Sequence, residues 1–439
     1  MNKFIRTCAT GIAMTTACIP MTAQQATQVA AQATSALTLT EAEHLAIEHN
    51  PRISVARLLQ LAQAQVTREV RSGELPTAAA NLTAVDSHDG SRITAGALNN
   101  PIVYERAAGG ITVSQLITDF GRTHNLVLSA KSQARAQADV QRATTADIVL
   151  AVDQAFYNVL GSQAVLKVAE QTVAARQATA DQIGALASSK LKSSLDLSFA
   201  NVELSQAKLL LLDSQNAEQD SMANLNALIG SEQDERYNLV DQTPSEAQPA
   251  PGNVESLVQL AFNSRPDLAA LKENSVAATQ FSRAEHALNR PTISALGTAG
   301  GTPIRPDQIT SSWYGAVGAN VSIPIFNGFL YSARAREADL RAAAVKEEVR
   351  NLRELIARDV RTSALSALAA FHRIEVTKQL LDQSNLALDL AQTRYKLGLS
   401  GIVELSQAQL AQTQAEIAHA NARYAYQTAL AVLSFQTGQ

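Results

Sequence analysis

Two different spacings of apolar residues alternate along this 439-residue chain. Ile374, Leu381, Leu388 and Tyr395 recur every seven positions, and three places after each of the first three stand the small residues Thr377, Ser384 and Ala391. Val403, Leu410, Ile417, Tyr424 and Ala431 continue the seven-residue step, and Leu195, Val202 and Leu209 repeat it earlier in the chain. This spacing predicts coiled-coil seams whose small residues let helices approach closely. Over 313–323 the period is two instead. Trp313, Val317, Ala319, Val321 and Ile323 alternate with Tyr314, Gly318, Asn320 and Ser322, the pattern of a membrane-spanning β-strand with one lipid face and one wet face. A shorter version lies at 110–115, with Ile111 and Val113 opposite Thr112 and Ser114.

Glycine and proline set the boundaries. Residues 102–243 and 325–439 contain no proline, and between Arg122 and Ile229 the only glycines are Gly161 and Gly184. Such stretches, rich in Ala, Leu, Gln, Glu and Arg, predict helices longer than 60 residues, about 90–100 Å at 1.5 Å per residue. The breakers gather at 73–121, 230–266 and 291–328. Each of the outer two segments holds two predicted strands joined by an exposed loop, near Arg92 to Tyr104 and near Gly300 to Ser311. Tyr104, Trp313 and Tyr314 flank the loops, and Phe120, Phe326, Phe329 and Tyr331 flank the helix entries, as two interfacial girdles would. Four strands cannot close a barrel around a channel, and open edges are not tolerated in lipid. Oligomerisation follows.

The chain is also duplicated. Leu45-Ala46, Pro51 and Pro76-Thr77 match Leu260-Ala261, Pro266 and Pro291-Thr292 at a constant offset of 215. Asp119-Phe120-Gly121 aligns with Phe326-Asn327-Gly328 near 207, and Asp196 and Gly230 align with Glu404 and Gly438 at 208. The domain reading is a signal peptide over 1–23, a first repeat over 37–230, a polar, proline-rich surface linker over 231–253 and a second repeat over 254–439. The fold class is a mixed α/β membrane protein, internally duplicated, with a long α-helical coiled-coil barrel and a transmembrane antiparallel β-barrel to which each subunit gives four strands.

Composition narrows the function. Lys3 and Arg6, then an uncharged apolar stretch to Ile19, then Pro20-Met-Thr-Ala23, read as an export signal. Both cysteines, Cys8 and Cys18, fall inside it, which excludes disulfides and thiol catalysis in the mature chain; Thr15-Thr-Ala-Cys18 offers Cys18 as an alternative lipidation site. A net charge of −4 carries no nucleic-acid footprint. The seven histidines are scattered, without metal-ligand spacing, and no phosphate loop or nucleophile elbow occurs. The reading is a non-enzyme without cofactor or metal.

At Leu37-Thr-Leu-Thr-Glu-Ala42, Asn50-Pro51, Leu75-Pro-Thr77, Ser114-Gln-Leu-Ile-Thr-Asp-Phe-Gly-Arg122, Pro324-Ile-Phe-Asn-Gly328 and Arg394-Tyr-Lys-Leu-Gly-Leu-Ser-Gly-Ile-Val-Glu-Leu405, the chain resembles the TolC-like outer-membrane efflux family. The resemblance implies a homotrimer around one shared twelve-stranded barrel in outer-membrane lipid, with a helical tunnel in the periplasm. It implies that the hairpin turns at the tunnel tip meet a periplasmic adaptor, itself joined to an inner-membrane pump. Leu397-Gly398-Leu399 matches the family's apolar-Gly-Leu turn, whereas Ser189-Lys190-Leu191 places a lysine in the glycine slot. The resemblance further implies a constriction at Asp196, Tyr395 and Glu404, moderated by Gln407 where a second acid can stand. The function read from all this is the exit duct of a tripartite efflux pump for small molecules. Type I protein secretion and a soluble periplasmic coiled-coil adaptor are the alternatives.

Overall fold

A computed structural model describes residues 36–88, 91–92, 104–231, 236–242, 253–305 and 310–439. The expected leader 1–23, Cys18 included, lies outside the described residues, as do 93–103 and 306–309 of the expected outer loops.

The first copy begins with a two-residue strand, β1 (Ala36–Leu37), and helix α1 (Leu39–His49), which starts at a capping box between Thr38 and Glu41. Asn50 caps α2 (Pro51–Ser72) with Pro51 in the first turn, where its missing N–H costs nothing. Strands β2 (Thr77–Val85) and β3 (Arg106–Thr118) lead to α3 (Arg122–Ser188) and α4 (Ser194–Ile229). After β4 (Asn238–Leu239), the second copy runs α5 (Val254–Ser264), α6 (Pro266–His286), β5 (Thr292–Ile304), β6 (Trp313–Ser322), α7 (Leu330–Lys396) and α8 (Ile402–Thr437). Helices α3 and α7 are both 67 residues long, and α4 and α8 are both 36. Each long helix spans about 100 Å. No helix among the described residues is long and apolar enough to cross a membrane.

The strands form one antiparallel sheet in the order β2-β3-β5-β6. The helices follow the same lateral order beneath it: α2 on α3, α3 on α6, α6 on α7; further down, α4 packs on α3, α3 on α8 and α8 on α7. Cross-strand register puts Leu82 beside Gly109, aligns Ile111 with Ala299 and Gly315, and aligns Val113 with Gly297 and Val317. This face is apolar apart from Gln115 near the helices, and Val317 is 91% exposed. The opposite face carries Asn81, Thr112, Ser114, Thr298, Asn320 and Ser322. Among the described residues, both outer strands, β2 and β6, have one edge without a partner strand.

Several expectations are corrected. Strand β3 is longer than 110–115, because register shifts between Ala107 and Gly109 and between Leu116 and Thr118 break its alternation without ending it. Gly300 and Gly301 belong to β5, not to a loop. Gly110, Gly300 and Tyr314 are cross-strand neighbours, and a Cβ at Gly300 would lie 2.5 Å from the Tyr314 hydroxyl. The ring covers the backbone that two glycines leave bare. Tyr314 therefore sits on the polar face, and of the adjacent Trp313 and Tyr314 only Trp313 faces the apolar side as an interfacial anchor would, since neighbours in a strand point to opposite faces.

The sequence alignment at 119–121 shifts by one. Phe120 and Gly121 have φ of 55° and 95°, and Gly328 and Phe329 have 61° and 65°, so the two left-handed positions match in pairs at the helix offset of 208, with Gly and Phe in swapped order. Part of the expected linker is not a free surface connection: β4 pairs in parallel with β1, and Leu239 is buried there.

Heptad seams are correct in α7, where Thr377, Ser384, Ala391 and Tyr395 are buried. In α4 and at the start of α8 the predicted rows are not the ones buried within the single chain. Leu195, Val202 and Leu209 are 63%, 52% and 59% exposed, and Val403 and Leu410 are also exposed. The buried row of α4 is Ala200, Leu204 and Ala207, that of α8 Ile402, Leu405, Gln409 and Thr413. In α4 the Ala-rich row lets the helices approach more closely than the Leu row of the same period, so it takes the interior of the chain.

Candidate functional site

The α3–α4 and α7–α8 turns lie at the far end from the sheet, and both are built by the same hydrogen bonds. Lys190 donates its N–H to the Ala187 carbonyl at 3.0 Å and Leu191 donates to Leu186 at 2.9 Å; Gly398 donates to Tyr395 at 3.1 Å and Leu399 to Arg394 at 2.8 Å. The bond spanning five residues is a Schellman closure, which demands a left-handed residue after the helix. Gly398 supplies it at φ 72° and Lys190 at φ 61°. The lysine in the glycine slot thus keeps the turn's geometry at a conformational cost. Leu191, Leu397 and Leu399 are 71%, 68% and 68% exposed, so the end of the molecule presents leucine side chains to its surroundings.

Beneath the turns, Ala180, Ile183, Ala200, Leu204, Tyr395, Ile402 and Leu405 form a small core joining all four helix ends. The Tyr395 ring is part of it, and its hydroxyl is buried without a hydrogen-bond partner. Burial, reinforced by the charge of Asp196, raises the Tyr395 pKa. The Lys192 ammonium lies 4.0 Å from the centre of that ring, a cation–π contact. Ser193 caps α4 by accepting the N–H of Asp196 at 3.1 Å, which places Asp196 in the first turn; Glu404 holds the corresponding place in α8. Glu404 Oε1 is 3.2 Å from Arg394 Nε. The two acids therefore sit differently. Asp196 bears on Tyr395, whereas Glu404 is ion-paired with an exposed guanidinium that has Leu186 as its counterpart in the first copy.

Lys192 and Arg394 were not singled out by the sequence reading, although both are cations within a few residues of a turn. Arg176 was missed too. It is 5% exposed, donates to the Thr413 hydroxyl at 3.3 Å and lies 4.0 Å from Glu203, tying α3 to both α4 and α8. Its only sequence signal is a charge inside a small-residue seam. No cluster of His, Cys, Asp and Glu among the described residues could hold a metal ion.

The family model for outer membrane efflux protein matches residues 42–231 and 257–439. Among characterised relatives, outer membrane protein OprJ of Pseudomonas aeruginosa is 25% identical over 309 residues, 68% of this chain and 63% of OprJ. Outer membrane protein TolC of Salmonella enteritidis is 26% identical over 110 residues, 25% of this chain and 22% of TolC. The matches thus span less than two thirds of either relative. The solved CmeC outer membrane channel of Campylobacter jejuni shares the fold with a TM-score of 0.82 at 14% identity, over 91% of this chain and 85% of that one. With a family match across both copies, the chain belongs to the outer membrane efflux protein family.

Proposed function

We propose that the chain is one subunit of a homotrimeric exit duct through which a tripartite efflux pump passes small molecules across the periplasm and outer membrane. The observation that carries this reading is the four-stranded sheet, mainly apolar on one face and richer in polar residues on the other, with both edges open among the described residues. In hydrocarbon an open edge leaves backbone groups unsatisfied, at several kcal/mol each. Three copies joined edge to edge close one barrel around a polar lumen. The exposed rows of α4 and α8 supply the matching helical contacts between subunits, and the two repeats, 37–230 and 254–439, give the tunnel wall its approximate sixfold regularity.

Lys190, Leu191, Leu397, Gly398 and Leu399 form the surface on which a periplasmic adaptor docks, linking the duct to an inner-membrane pump. Asp196, Tyr395 and Glu404 form the constriction just inside. Two measurements test the reading. Mass determination of the detergent-extracted protein should give a trimer, and a stable monomer with channel activity overturns it. Crosslinking from position 399 in cells should capture an adaptor, while loss of the protein should raise sensitivity to small toxic compounds.

A further inference from the structure

Helix α1 lies on α3 through Ala42 and Ala46, both fully buried, against a core that includes Val152, Phe156 and Val159. Beside this apolar contact the two helices oppose one acid each. Glu43 of α1 is within hydrogen-bonding reach of Asp153 of α3, and Asp153 Oδ1 is buried without a partner. Two carboxylates so placed repel unless one is protonated, in which case a single proton bridges them. The remaining groups around the pair offer little relief. Tyr157 stands on α3 itself. From the segment after β4 comes Asp241, which accepts a hydrogen bond from the Tyr424 hydroxyl at 3.0 Å. From α8 come Tyr424 and Arg423, the guanidinium lying 3.8 Å from Asp241 and so already engaged. The α4 residues packed here, Met222 and Leu225, are uncharged.

We propose that Glu43 and Asp153 share one proton and fasten α1 to α3 as a pH-sensitive latch. The latch sits where β1, α1 and the connection between the copies come together, so its release loosens the start of the first copy rather than the tunnel wall. Burial, with Glu43 beside it, raises the Asp153 pKa from its ordinary 3.8 to about 7. A raised acid pKa means that the folded chain keeps a proton the unfolded chain has lost. The stabilisation is fully present below the ordinary carboxyl range and is lost as pH rises through about 7. The opposite pH trend would need a depressed pKa.

Hydrogen exchange of the full-length protein in detergent, followed on peptides covering Leu39–His49 and corrected for the intrinsic pH dependence of exchange, reads the latch directly. Opening of α1 should rise about tenfold between pH ~6 and ~8 in the wild type. Asp153→Asn should remove that rise, since an amide pairs with Glu43 without a proton to lose. Glu43→Gln should do the same from the other side and keeps the test alive if the first variant fails to fold. An α1 whose opening does not change with pH in the wild type, or rises equally in both variants, overturns the proposal.

Discussion

Lys190 and Gly398 hold the same left-handed backbone position in the two turns at the end of the molecule, at φ 61° and 72°. A side chain with a Cβ is disfavoured there by roughly 1–2 kcal/mol, whereas glycine adds about 0.5–1 kcal/mol of unfolded-state entropy. The first effect exceeds the second. Lys190→Gly should therefore stabilise the protein modestly, by up to about 1 kcal/mol. Gly398→Ala should destabilise it by a similar amount, through backbone conformation alone, because nothing beyond its immediate chain neighbours lies within 4 Å of the added methyl. Thermal unfolding midpoints in detergent check both, and an unchanged or lowered midpoint for Lys190→Gly contradicts the strain.

The sheet contains a second steric test. A methyl at Gly110 would lie 2.2 Å from the Tyr314 hydroxyl and 2.8 Å from the Ala299 carbonyl. Gly110→Ala should cost about 1–3 kcal/mol, as overpacking does. Removing the ring with Tyr314→Ala relieves only the first of these contacts, so the double variant should recover part of the loss. Additive effects in that cycle would mean that the ring does not cover the glycine.

Charge at the tip can be altered with little structural penalty. The Arg394–Glu404 pair is exposed on both sides, and such pairs contribute about 1 kcal/mol or less. Glu404→Gln combined with Asp196→Asn should leave the fold intact while lowering cation selectivity and divalent block in planar bilayers. Because Arg394 already offsets Glu404, Asp196→Asn alone should produce more than half of the change. Unaltered selectivity in the double variant removes both acids from the constriction.

The exposed apolar rows of α4 and α8 make a prediction about association. Val202 and Leu410 are 52% and 49% exposed in one chain, so Val202→Glu or Leu410→Glu should cost the single chain little. A buried charge without a partner at a subunit contact should prevent stable trimers. Light scattering in detergent separates the outcomes, and a fully trimeric Leu410→Glu variant shows that the row faces solvent in the assembly.

The long helices were legible because 67 residues without proline and with few glycines admit little else, and the duplication because loops change length more cheaply than helices do. The alternation at 313–323 likewise placed β6 correctly. What the pattern could not decide was which of two rows with the same seven-residue period faces inward on α4. Leu195, Val202 and Leu209 are the more hydrophobic row, yet the alanine row is buried, since hydrophobicity alone does not report how closely two backbones can approach. The alternation put Tyr314 on the polar face correctly but could not show what its ring covers. An aromatic beside a loop suits an interfacial girdle, but its cross-strand partner Gly300 lies 14 residues away in sequence, beyond the reach of a local pattern. At the tip, a lysine in a glycine position signals either a different turn or the same turn under strain, and only the hydrogen bonds from Leu191 and Leu399 decide for the second.

The unpaired edges of β2 and β6 also set the order of events during biogenesis. A solitary chain entering hydrocarbon would carry two rows of bare amide and carbonyl groups, an expense that no side chain of the sheet offsets. On the proposed trimeric reading, chains meet before or while they enter, and membrane entry becomes a reaction whose rate climbs faster than in proportion to chain supply. The same reading predicts that chains made at low synthesis rates wait longer for companions, so the number of assembled trimers per cell should fall more steeply than expression itself.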